Sequence, residues 1–160
     1  MRARPLLAIV VGVLGVTALI GAATTASAGR ACVGNAREGG YSYAGHQATY
    51  RGHGVRATIA LTREPAVDAG HVAGWIGVGG PGRGANGQDA WIQIGINSLP
   101  GSGNNLYAEA WIPGYGHAYK QLGQVAAGAQ VKVSVLELPG RPGWWQAAVN
   151  GKRRFLGRSS

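Results

Sequence analysis

The sequence predicts an all-β domain of antiparallel strands, closed as a sandwich or a barrel. Three observations predict it. Six short runs alternate apolar and polar residues with period two, as a half-buried strand requires. Turn dipeptides punctuate the runs: Pro81-Gly82, Pro100-Gly101, Pro113-Gly114, Pro139-Gly140 and Asn150-Gly151. No segment holds a helical period over more than a turn. Short strands at regular spacing between Gly/Pro turns are the pattern of a sandwich or barrel.

The N-terminus reads as a targeting segment. Arg2 and Arg4 precede an apolar stretch over residues 6–20, and Ala26-Ser27-Ala28 has the form of a signal-peptidase site. Residues 1–28 are therefore expected to be a secretory signal peptide. The chain would then be secreted and would keep no stable membrane anchor. The remainder suits one domain with a real core. Residues 29–54, rich in glycine and small polar residues, read as a loosely ordered lead-in with one short strand near Tyr41 and Tyr43. Residues 55–160 read as the β domain.

Within it, Val55, Ala57, Ile59 and Leu61 alternate with Arg56, Thr58 and Ala60. A second strand is expected over 71–78 and a third over 90–96, where Ala90, Ile92, Ile94 and Ile96 form one face. The opposite face carries Trp91, Gln93 and Gly95. The fourth, over 106–112, sets Tyr107, Glu109 and Trp111 against Leu106, Ala108, Ala110 and Ile112. The fifth covers 131–138 and the sixth 144–149. Residues 125–130 read as a loop. The ending, 152–160, shows no strand alternation.

The formal charge is +9 with only six acids. A basic exported chain suits anionic polymers or surfaces, and equally plain solubility. No nucleic-acid motif accompanies the scattered arginines, so no nucleic-acid partner is expected. Cys32, the single cysteine, has no intrachain partner; it pairs between chains, stays free, or has lost its partner. A catalytic role would need a neighbouring base, and Cys32 sits in a glycine-rich start with no sign of order around it.

Gly77-Val78-Gly79-Gly80-Pro81-Gly82 satisfies G-x-G-x-x-G, but no helix follows to aim its amides at phosphate, so it reads as a wide turn. His46, His53, His71 and His117 lack metal-ligand spacing and read as isolated polar or loop residues. There is no G-x-S-x-G elbow. No cofactor or metal is called for.

Gln93 and Glu109 are the candidate catalytic pair, each flanked by aromatics on its own strand face. If their strands are neighbours, amide, carboxylate and rings share one surface. An amide can orient water or polarise a carbonyl, and a carboxylate can act as general acid or base. The same face could hold a polymer by stacking without chemistry, or simply tolerate polar residues. Trp75, Trp91, Tyr107 and Trp111 are the candidate substrate-binding residues.

Trp75-Ile76-Gly77-Val78-Gly79-Gly80, Ala90-Trp91-Ile92-Gln93-Ile94-Gly95, Tyr107-Ala108-Glu109-Ala110-Trp111-Ile112-Pro113 and Gly128-Ala129-Gln130-Val131-Lys132-Val133-Ser134-Val135 follow the order of motifs in the glutamic endopeptidases, the eqolisins. The chain resembles bacterial secreted relatives of that family over residues 72–151. The resemblance implies a concanavalin A-like jelly-roll sandwich whose concave face holds a catalytic glutamine and glutamate acting on a peptide bond. Gln93 matches the glutamine. Glu109 resembles a supporting acid, with its spacing to Pro113 off by one residue.

The departures are specific. The family's aspartate falls on Gly79. Its catalytic glutamate belongs to a strand beyond 144–149, and no acid follows Glu137 here. Those later strands carry cysteine in relatives, which would account for an unpaired Cys32. The resemblance thus implies a C-terminally shortened, catalytically impaired sandwich with marginal stability from its exposed edges. The alternative is a secreted, non-catalytic binding module for glycan or cell-wall polymer. The expected partner is accordingly a polypeptide substrate or an extracellular polymer.

Overall fold

The computed structural model describes residues 44–49 and 52–158. Residues 44–49, with His46, are exposed and form neither helix nor strand. The expected signal peptide, Cys32 and most of the lead-in lie outside the described residues.

The β domain is an antiparallel β-sandwich. Its strands are β1 (Gly54–Ala60), β2 (Val72–Gly80), β3 (Ala90–Leu99), β4 (Gly103–Ile112), β5 (Gly116–Gln124), β6 (Gln130–Leu138), β7 (Arg141–Val149) and β8 (Lys152–Arg158). One sheet has the order β2-β3-β4-β5, the other β1-β6-β7-β8. All pairings are antiparallel. A 3₁₀ turn at Ala85–Gly87 sits in the β2–β3 connection, where the Gly82 N–H donates to Asp89 Oδ1 at 3.0 Å.

The core lies between the sheets. Ile92, Ile94 and Ile96 of β3, with Leu106, Ala108 and Ala110 of β4, meet Val131, Val133 and Val135 of β6 and Ala147 and Val149 of β7. Ile92 stands opposite Ala110 and Ile94 opposite Ala108, so large side chains face small ones across the layer. Each fully buried isoleucine contributes about 1.5–3 kcal/mol.

Two strands depart from the sequence reading. β5 was not expected, because its apolar alternation is interrupted: Ala118 and Leu122 share a face with the exposed Lys120. As the edge of its sheet, β5 pairs with β4 alone. β8 replaces the irregular ending. Its inward positions are Phe155 and Gly157, and a glycine in the core leaves no hydrophobic mark in the sequence. A β-carbon at Gly157 would stand 3.2 Å from Ile92 Cδ1, so close approach across the sandwich is what the glycine supplies. A bulge between Ala147 and Ala148 further breaks the period, leaving Lys152, Arg153 and Arg154 all exposed. The hairpin signal Asn150-Gly151 does what its composition demands, with φ 48° and 76° at the two turn residues.

Gly95 shows how tightly β2 and β3 pair. A β-carbon there would lie 2.3 Å from the Gly74 carbonyl oxygen and 2.6 Å from Trp75 Cβ. Gly95→Ala is expected to cost roughly 1–3 kcal/mol, read as a lower urea midpoint. An unchanged midpoint would show that β2 can move aside.

Glu137 fastens the start of β1 and the β6–β7 turn. It accepts from His53 Nδ1 at 2.8 Å and from the Gly143 N–H at 2.8 Å. His53 is thus a partnered residue, not an isolated one. The His53 hydrogen bond, then that of Gly143, and the His53 charge hold the Glu137 carboxyl below its ordinary 4.5, against a small opposing effect of burial. A depressed folded pKa stabilises above the unfolded value, and the contribution is lost as pH falls through the folded one. The midpoint difference between the parent and Glu137→Gln should therefore favour the parent at neutral pH and close below about pH 4. A difference that persists into strong acid would assign the effect to packing.

Candidate functional site

Three successive rows of the outer face of the β2-β3-β4-β5 sheet, fixed by register, form the site. Trp75, Gly95, Tyr107 and Gln121 form the first. Gly77, Gln93, Glu109 and Tyr119 form the second. Gly79, Trp91, Trp111 and His117 form the third. Rows two residues apart along a strand are spaced by roughly 6.6 Å. The apolar faces of β3 and β4 are committed to the core, so these side chains have no choice but to point outward.

Gln93 and Glu109 are directly paired, as their strand positions predict. Gln93 Nε2 donates to Glu109 Oε2 at 2.7 Å and to the Tyr107 hydroxyl at 3.3 Å. The other carboxylate oxygen, Oε1, contacts His117 Nε2 at 2.5 Å. An ionised carboxylate only accepts, so Nε2 carries the proton and donates. Glu109 is thus clamped from both sides, its side chain 22% exposed beside a 48% exposed His117. His117 is a residue of the edge strand β5 that reaches Glu109, not an isolated loop histidine.

Aromatic groups surround the clamp. Trp91 and Trp111 are cross-strand partners, and the His117 ring lies 6.2 and 6.4 Å from them, centroid to centroid. Trp75 and Trp111 are 45% and 40% exposed. Tyr107 differs from the sequence expectation of a ligand-facing ring. It is buried, stacked on Tyr119 at 5.6 Å and 17°, so its ring supports Tyr119 and its hydroxyl positions Gln93. Tyr119, exposed on β5, takes the outward role, and its hydroxyl accepts from Asn97 Nδ2 at 3.2 Å. Asn97 Oδ1 is buried with no hydrogen-bond partner among the described residues.

Sequence reasoning missed His117 and Tyr119 because it missed β5. The available signal was Pro113-Gly114 as a hairpin turn, which places a partner strand immediately after it.

Beyond Trp75, the outer face of β2 carries only Gly77 and Gly79 at these rows, and a β-carbon at either would collide with the β3 backbone at Ile92 and Ala90. A cavity of about 180 Å³ opens at the margin between the sheets, lined by Gly79 and Trp91 of the third row and by Ala90, Ile92, Trp145 and Arg158. The Gln93–Glu109 pair does not line it. Among the described residues no group of three or more His, Cys, Asp and Glu is placed to hold a metal. Within the strands of this sheet Glu109 is the only acid.

Comparison of the chain with protein-family models, with curated proteins and with solved structures finds no match.

Gln93 and Glu109 should couple. In a double-mutant cycle of Gln93→Ala and Glu109→Ala, stability is expected to show an interaction of about 1 kcal/mol. Additive effects would mean that the contact is not maintained in solution.

Proposed function

We propose that the protein is a secreted binding module whose outer β2-β3-β4-β5 face lies along a neutral glycan chain of an extracellular or cell-wall polymer. One observation carries this reading: a polar row with Gln93 and Glu109 is bracketed by Trp75 on one side and by Trp91 and Trp111 on the other, on an open face. Trp75 and Trp91 stand four residues apart along the strands, roughly 13 Å. That length suits successive units of a chain rather than one small molecule. Flat rings offer apolar area at low entropic cost, and amide, carboxylate and imidazole groups fix hydroxyls between them.

Cleavage of that glycan is not part of the proposal. Glycosidases ordinarily use two carboxylates, and this face holds one. The second reading, peptide-bond hydrolysis, is favoured by the Gln93–Glu109 contact and by the resemblance to glutamic endopeptidases. In it Glu109 would be the acid/base. The carboxylate is engaged by Gln93 and His117, and Gln93 Nε2 is turned toward Glu109 and Tyr107. Water activation would first have to open that clamp.

Retention on insoluble peptidoglycan, chitin and cellulose tests the binding reading. Trp91→Ala and Trp111→Ala are each expected to weaken retention about tenfold or more while the far-UV signal is kept. Equal retention by folded variants would refute it. Cleavage of denatured casein between about pH 2 and 7, abolished by Glu109→Gln, would establish the hydrolytic reading instead.

A further inference from the structure

Charge is divided unequally between the two sheets. Arg56, Lys132, Arg141, Lys152, Arg153, Arg154 and Arg158 all lie in strands of the β1-β6-β7-β8 sheet, and all are exposed. The one acid in those strands is Glu137, already engaged by His53 and the Gly143 N–H. The strands of the other sheet carry one lysine, Lys120, and one acid, Glu109. Among the described residues the ion pairs are His53–Glu137 and His117–Glu109. No described carboxylate neutralises the seven basic side chains.

Strand alternation aims most of them to one side. Val55 and Ile59 pack on the core, so Arg56 points out. Val131 and Val133 are core, so Lys132 points out. Phe155 and Gly157 face inward, so Arg154 and Arg158 face outward. The bulge in the β7–β8 pairing sets Arg153 opposite the outward Ala148. Across the sheet, one row reads Arg56, Ser134, Ala148, Arg153. The backbone positions of Arg56 and Arg153 thus flank the small side chains of Ser134 and Ala148, three strand spacings or roughly 14 Å apart. Lys132, one strand over and two residues along from Arg56, adds a third charge roughly 8 Å from it.

The face has charge but little to stack on. Its aromatic ring is Trp144, and the Arg158 guanidinium already sits over it at 5.7 Å. Proteins that hold single-stranded nucleic acid interleave basic groups with open aromatic platforms. A basic floor without them fits a repeating anion that carries no base.

We infer that the outer face of the β1-β6-β7-β8 sheet binds a linear, base-free chain of repeating phosphates, whose oxygens suit the guanidinium forks of its five arginines. The site is separate from the aromatic face and does not depend on the reading given to that face.

Binding of the purified protein to inorganic polyphosphate and to polygalacturonate tests this, beside single-stranded oligothymidylate and phosphatidylglycerol vesicles. Polyphosphate is expected to bind, and to be released as salt shortens the screening length from about 10 Å at 0.1 M to 3 Å at 1 M. Arg153→Ser with Arg154→Ser should lower affinity about tenfold or more. Lys120→Ser, in the other sheet, and Trp111→Ala should leave it unchanged. The inference is overturned if polyphosphate does not bind, if the double arginine variant binds it as the parent does, or if polygalacturonate, oligothymidylate or vesicles bind more tightly than polyphosphate.

Discussion

The pairing register of β3 and β4 is the constraint from which the rest follows. Ile92, Ile94 and Ile96 must enter the core opposite Ala110, Ala108 and Leu106. A slip of one residue would bury Trp91, Gln93 and Glu109 and expose the isoleucines, at a cost of several buried side chains of about 1.5–3 kcal/mol each. The hydrophobic faces therefore set the position of the polar ones. Gln93 meets Glu109 because Ile94 meets Ala108. The clamp on the carboxylate is a by-product of core packing, completed by a third strand, β5, that brings His117 and Tyr119.

The same logic divides the molecule chemically. Both sheets commit one face to a shared apolar layer, so what distinguishes them is written on the outside. One outer face is aromatic and amide-rich with a single acid; the other is basic and nearly free of rings. Neither pattern is needed for folding, since solvated positions tolerate most residue types. The clustering of arginines on β8 and of tryptophans on β2, β3 and β4 is therefore a feature for a functional account to explain.

Much of the fold was legible because core-facing residues announce themselves by period. Six strands, their turns and the Gln93–Glu109 juxtaposition could be read from alternation and from Pro-Gly and Asn-Gly signals. The two missed strands share a cause: their inward positions carry little apolar mass. In β8 a glycine fills the tightest place beside Ile92, and a bulge shifts the phase. In β5 a lysine interrupts the apolar face of an edge strand. The consequences reached the site. Without β5, His117 looked solitary, and nothing in the sequence could show that Tyr107 would be covered by Tyr119. The His53–Glu137 contact spans 84 positions and had no local mark at all.

The two outer faces stand back to back, with sheets about 10 Å apart between them. Ligands on opposite sides would therefore never touch or compete. A single copy would have two valences of unlike kind and could act as a rivet between two polymers. Capture of one would raise the effective concentration of the other and lengthen residence on both beyond what either face achieves alone. Bridging of this sort would need no dimer and no flexible linker, only the thickness of the sandwich.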